Sequence, residues 1–76
     1  MTPPVNSITQ AEDRLRPVHP CALDFESVFD GTERIGFTYR IRPGAYGWIL
    51  GDGRTSTTEH VDREQAADRA RTAHRR

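Results

Sequence analysis

Ile35-Gly-Phe-Thr-Tyr-Arg-Ile-Arg42 alternates without a break: residues 35, 37, 39 and 41 are large and apolar, and 36, 38, 40 and 42 are not. A period of two is the signature of a strand with one buried face. Pro43-Gly44 follows. Proline sets φ at the first turn position and glycine accepts a positive φ at the second, as a type II turn requires. With these two residues as the loop, Arg42 pairs with Ala45, Ile41 with Tyr46, Tyr39 with Trp48 and Phe37 with Leu50. Every large apolar residue then meets another on one face, and a slip of one residue sends the second strand's set to the other side.

The chain beyond this hairpin supplies a cover. Gly51-Asp52-Gly53 contains Asp-Gly, a favoured hairpin loop, and the threonine-rich run Arg54 to Val61 suits a further strand. Asp62 stands where a helix N-cap belongs, with Gln65 three residues on in a capping-box arrangement. Glu64 in the first turn and Arg71, His74, Arg75 and Arg76 in the last suit the helix dipole. Ala66, Ala67, Ala70 and Ala73 recur at helical spacing, so the helix can lie close on the sheet. Val61, just before the cap, is placed to tie strand to helix.

The first part of the chain is less determined. Met1 to Asn6 reads as a flexible arm. Ser7 can cap a short helix from Ile8 to about Arg16, with Ile8, Ala11 and Leu15 on one stripe and Pro17 ending it. Residues 20–30 fit either a helix, with Pro20 at its first position and Gly31 past its end, or a strand turning at Asp30-Gly31-Thr32. The strand keeps Phe25 opposite Phe37, Leu23 opposite Tyr39 and Ser27 opposite Ile35, and is preferred for that agreement. The expected fold is α+β: a three- to four-stranded antiparallel meander sheet backed by one C-terminal helix, with a short N-terminal helix or arm over 1–19 and one small domain over 20–76.

All eleven basic side chains other than histidine are arginine, balanced by eleven acids. The balance is uneven. Residues 1–33 carry two arginines against six acids, residues 34–58 carry four arginines against Asp52, and residues 59–76 carry five arginines against four acids. A basic sheet thus adjoins an acidic arm. A single cysteine excludes an internal disulfide and fits a reducing compartment. No apolar run approaches the ~20 residues of a membrane span, and the N-terminus has no signal pattern. The expectation is a cytoplasmic domain with no membrane contact.

In this register Phe37, Tyr39, Ile41, Tyr46, Trp48 and Leu50 form a core under the alanine helix. The opposite face carries small residues on its middle strand, flanked by Thr38, Arg40, Arg42, Arg54, Ser56, Thr58 and His60. Such a surface is shallow, basic and rich in donors. Arginine forks clamp phosphates or read guanine edges, and a flat ribbon can enter a major groove. The same face could instead be an ordinary solvated surface, or be covered by residues 8–30.

This topology, with the run His60-Val-Asp-Arg-Glu-Gln-Ala-Ala-Asp-Arg-Ala-Arg-Thr-Ala73, resembles the three-strand-plus-helix DNA-binding modules of AP2-type regulators and tyrosine-recombinase arm-binding domains. The resemblance covers residues 35–73. It implies a sheet docked in a major groove with an alanine-rich helix behind it, and gives the contact role to Arg40, Arg42 and Arg54. The first expectation is therefore a small non-enzymatic module binding duplex nucleic acid, as a regulator or accessory factor, for instance of a mobile element. Arg40 and Arg42 make the contacts, with Arg54, Thr38 and Thr58 in support and the tail Arg71 to Arg76 adding non-specific attraction.

The alternative is a protein-binding inhibitor or adaptor of phage or plasmid type, contacting its partner through the acidic, aromatic segment 23–33. Phe25 and Phe29 are its anchors and Asp24 and Glu26 its charges. A homodimer burying the two phenylalanines is a third arrangement. Catalysis and cofactors are not expected. His19, Cys21, His60 and His74 lack paired-ligand spacing, and Gly51-Asp-Gly53 is a turn rather than a phosphate loop.

Overall fold

Bulges decide which face of the sheet each side chain occupies. The computed structural model describes Glu12, Asp13, Leu15, His19 and residues 21–76. Three strands, β1 (Leu23–Asp30), β2 (Glu33–Arg42) and β3 (Ala45–Leu50), form an antiparallel sheet in the order β1-β2-β3, and the helix α1 (Arg63–His74) follows. This is the α+β meander with a C-terminal helix that the pattern of residues predicts, with 23–30 a strand rather than a helix.

The Pro43-Gly44 turn forms as expected, with Gly44 at φ 77° and Arg42 opposite Ala45. The register beyond it does not. Arg40 faces Tyr46, so Ile41 is an extra residue on β2 and every later pair moves by one. Tyr39 faces Gly47, Phe37 faces Ile49 and Thr38 faces Trp48, in place of the expected Tyr39–Trp48 and Phe37–Leu50 pairs. A type II turn splays the strands that it joins, and a bulge restores the right-handed twist.

The first hairpin is also shifted. Asp30 faces Glu33, which leaves a two-residue loop, Gly31-Thr32, instead of three residues. Gly31 supplies the positive φ of 66° that such a loop needs at its first position. Val28 then faces Gly36 while Phe29 faces Arg34, so Ile35 is a second unopposed residue on β2. Ser27, not Phe25, lies opposite Phe37, and Leu23 lies opposite Arg40 rather than Tyr39.

The core under the helix is consequently not the one that simple alternation implies. Val28, Ile35, Leu50 and Trp48 pack against Ala67, Ala70 and Ala73 of α1. Ala66 and Ala70 are fully buried, the close approach that small side chains permit. Phe37 and Tyr39 lie on the other face with Ile49, closed over by Leu15, Ala22 and Phe25. Leu15, in a helical segment with Glu12 and Asp13, is 1% exposed, so the N-terminal stretch contributes to the core. The rest of the helix expected over 8–16 lies outside the described residues.

Residues 54–61 do not form the further strand that their composition suggests. They meet β3 at two isolated bridges, Ile49–Thr55 and Tyr46–His60. Hydroxyls take over part of the ladder. Thr55 Oγ1 donates to the Trp48 carbonyl at 2.7 Å, and the Trp48 amide donates to Ser56 Oγ at 3.2 Å. Threonine and serine compete in this way with regular pairing. Five residue steps from Thr55 to His60 then oppose three on β3, and residues 57–59 bow outward. The buried Tyr39 hydroxyl lies 3.3 Å from Thr55 Oγ1 and 3.4 Å from Ser56 Oγ. Gly47 makes room for it, since a Cβ there would overlap the hydroxyl end of the ring.

The helix starts as its sequence directs. Asp62 is the N-cap, with Oδ1 accepting from the Gln65 amide at 2.7 Å. Gln65 reaches back to the Val61 amide at 3.3 Å, one residue earlier than in a regular capping box. Val61 is 70% exposed, so its link to the helix is this backbone bond rather than apolar packing.

Candidate nucleic-acid interface

The shifted register divides the residues that alternation places on one open surface. Thr38 faces α1, is 1% exposed, and accepts a hydrogen bond on Oγ1 from Arg63 at 2.8 Å. Ile49, Gly47 and Ala45 are buried on the opposite face.

Arg40, Arg42 and Arg54 are each held by an acid. Arg40 meets Asp24 at 2.7 Å, and Arg42 makes a two-pronged bond to Glu59 at 2.6 and 3.1 Å. Arg54 binds Asp52 at 2.8 Å and also donates to the Ala73 carbonyl near the end of α1, at 2.9 Å. The Arg54 amide and guanidinium hold the Asp52 carboxyl below its usual range, the amide contributing most. Asp24 has a positive φ of 55°, a conformation in which aspartate is enriched among non-glycine residues, beside the register shift of β1.

The same neutralisation runs through most of the molecule. Arg63 meets Glu26 at 3.2 Å and stacks over Tyr46, Arg71 pairs with Asp68, and Arg75 pairs with Asp30 at 2.8 Å. Arg34 lies over the Phe37 ring. Arg69 and Arg76 meet no carboxylate side chain among the described residues.

Arg69 and Arg76 line the same groove. It runs between α1 and the bowed segment 56–60, has a volume of about 350 Å³, and is lined by Trp48 and His60. Gln65, Arg69 and Thr72, spaced four and three residues apart on one stripe, line its helix side, and Arg76 joins them from just past the helix end. Ser56, Thr57 and Thr58 line the other wall, and no aspartate or glutamate side chain is among the described lining residues. Two other hollows differ in this respect: Glu59 lines one, and Glu33 with Asp52 the other. The arrangement offers two guanidinium forks, several hydroxyl donors and an indole, with no fixed negative side chain to repel an anion.

Of the residues singled out from sequence for nucleic-acid contact, Thr58 and, from the basic tail, Arg76 line this groove, and Arg54 reaches its edge through Ala73. Thr38, Arg40 and Arg42 are engaged elsewhere. Arg69 was legible by a different signal: the positions three and four residues away on its helix are Gln65, Ala66, Thr72 and Ala73, none of them acidic. Arg71, by contrast, has Asp68 three residues before it.

The segment 23–33 is similarly divided. Phe25 is half-buried against Tyr39, with ring centroids 5.8 Å apart. Phe29 is 47% exposed, while its carbonyl accepts from Arg71 at 2.8 Å. Asp24 and Glu26 are the partners of Arg40 and Arg63. His19 packs on Tyr39, His60 bridges Tyr46, and His74 lies 3.6 Å from Glu33. Among the described residues, no three histidine, cysteine or carboxylate side chains gather as a metal site would require, and no helix is long and apolar enough to cross a membrane.

No family model, no curated protein and no solved structure matches this chain.

Proposed function

We propose that this chain is a small non-enzymatic module that binds nucleic acid through the groove between α1 and residues 56–60. The observation that carries this reading is the convergence of Arg69 and Arg76, which lack acid side-chain partners among the described residues, on a groove with no aspartate or glutamate among its described lining residues. Guanidinium forks match phosphate oxygens, and serine and threonine hydroxyls are common phosphate donors. Arg54 supports the site by donating to the Ala73 carbonyl, which otherwise presents negative charge at the helix end. Such binding suits the regulatory or accessory role, for instance in a mobile element, that the β-β-β-α resemblance implies.

The test is anisotropy of labelled nucleic acid from about 50 to about 200 mM salt, where phosphate contacts are lost steeply. Two contacts predict a log–log slope between roughly −1.4 and −1.8. Arg69→Ala with Arg76→Ala weakens binding about tenfold or more, whereas Arg42→Ala, whose guanidinium is already held by Glu59, leaves it unchanged. Affinity that the double substitution does not lower returns the site to the sheet arginines, and no binding at low salt ends the proposal.

A second reading rests on β1. Its outer edge has no partner strand among the described residues, and Leu23 and Phe29 are 42% and 47% exposed there. A protein partner of inhibitor or adaptor type, or a second copy, would add at this edge. Sedimentation velocity and a pull-down from lysate, each with Phe29→Glu as control, separate the cases. Capture that Phe29→Glu does not weaken removes the edge from consideration.

A further inference from the structure

We infer that the groove takes a single strand with an unstacked base rather than an intact duplex. This rests on the groove being the phosphate site proposed above and names the form of nucleic acid that it admits. Trp48 is half-buried: part of it packs in the core beside α1, and part lines the groove. Phosphates alone gain little from an indole, but the face of a splayed base gains a stacking platform. In a duplex those faces are already stacked on their neighbours, so only its backbone could reach the two arginines. A single strand presents both groups at once.

The side walls suit the same ligand. Arg69 lies on α1 and Arg76 two residues past its end, and both line the groove, so one strand can pass both guanidiniums in turn. Trp48, on β3, lies between α1 and the hydroxyl wall of Thr57 and Thr58. Gln65 uses Oε1 to accept from the Val61 amide, which leaves its amide donors for a base edge. Base faces are common to all sequences, so the expected preference is for single-strandedness with little sequence selectivity.

Trp48 is the one tryptophan of the chain, so its emission reports on the groove. The experiment titrates the full chain with a short oligothymidylate and with a duplex of the same length. It follows anisotropy of the labelled nucleic acid and tryptophan fluorescence together. The single strand is expected to bind about tenfold or more tightly than the duplex and to quench the tryptophan. Trp48→Leu, which keeps apolar packing but removes the π face, weakens single-strand binding roughly 5- to 100-fold and leaves the salt slope unchanged. Quenching of the unsubstituted protein is a readout that does not depend on how that variant folds. Equal binding of duplex and single strand with unmoved tryptophan emission overturns this inference and leaves the phosphate groove standing. No binding of either at about 50 mM salt overturns both.

Discussion

The arginines at the margins of the sheet and those of the groove carry the same charge but occupy opposite electrostatic situations. Arg40, Arg42 and Arg54 each touch a carboxylate, so the basic stretch 34–58 presents little available charge. Arg69 projects from a helix whose net charge is small and Arg76 lies just past its end, yet no acid side chain meets them among the described residues. Net charge along a stretch of sequence is therefore a poor guide to where an anion can bind. What matters is which cations remain after the protein has paired its own.

That contrast can be broken in several places. The largest effect is expected at Arg63, a structural arginine that bonds to buried Thr38, pairs with Glu26 and stacks on Tyr46. Arg63→Ala leaves the Thr38 hydroxyl buried without its partner and should cost about 2 kcal/mol in urea unfolding, with no change in the salt slope of binding. Arg69→Ala with Arg76→Ala should do the reverse. Affinity for nucleic acid falls about tenfold or more, while stability moves by less than about 0.5 kcal/mol. If the two variants trade these effects, the distinction between structural and available arginines fails.

Arg54 stands between the two groups, since it caps α1 and supports the groove. Arg54→Ala should lower stability by about 0.5–1 kcal/mol through loss of the bond to Ala73, and should weaken binding less than the groove substitutions do. Chemical denaturation and anisotropy on the same preparation check both halves.

The smallest effect concerns Asp30 and Arg75. The hydrogen bond from Arg75 holds the Asp30 carboxyl below its ordinary value near 3.8. Depression of a folded-state carboxyl value stabilises the protein above the unfolded value, and this contribution is lost as pH falls through the folded one. Thermal melts from pH 6 downward should therefore differ fully above the ordinary carboxylate range and converge for the parent and Arg75→Ala only as pH falls through the lowered folded-state value. A difference that persists at the acid end assigns the role of Arg75 to packing.

The turns illustrate how much was legible. Gly44 and Gly31 both adopt the positive φ that their loops demand, and Asp62 caps α1, because these are local requirements met within a few residues. The groove was only partly legible. Thr58 was identified, as was Arg76 within the basic tail, and Arg69 was not, although the absence of an acid at its helical neighbours marked it. The threonine-rich run 54–61 looked like a strand because its propensity is strand-like, but its hydroxyls bond to the backbone at Trp48 and displace the regular ladder.

By itself, the sequence determined most elements of this protein: the β2–β3 hairpin from a period of two, turns from Pro-Gly and Asp-Gly, and a helix from its cap and alanine stripe, while residues 20–30 fitted helix or strand alike. Each follows from dihedral preferences and neighbours a few residues apart. Tertiary structure alone decided the faces and the charges. Ile35 and Ile41 became extra residues because strand twist has to be reconciled across two hairpins, and each such residue moves the side chains beyond it to the other side. Arg42 found Glu59 across 17 residues and Arg75 found Asp30 across 45, so which arginines remained for a ligand depended on contacts that no local pattern encodes.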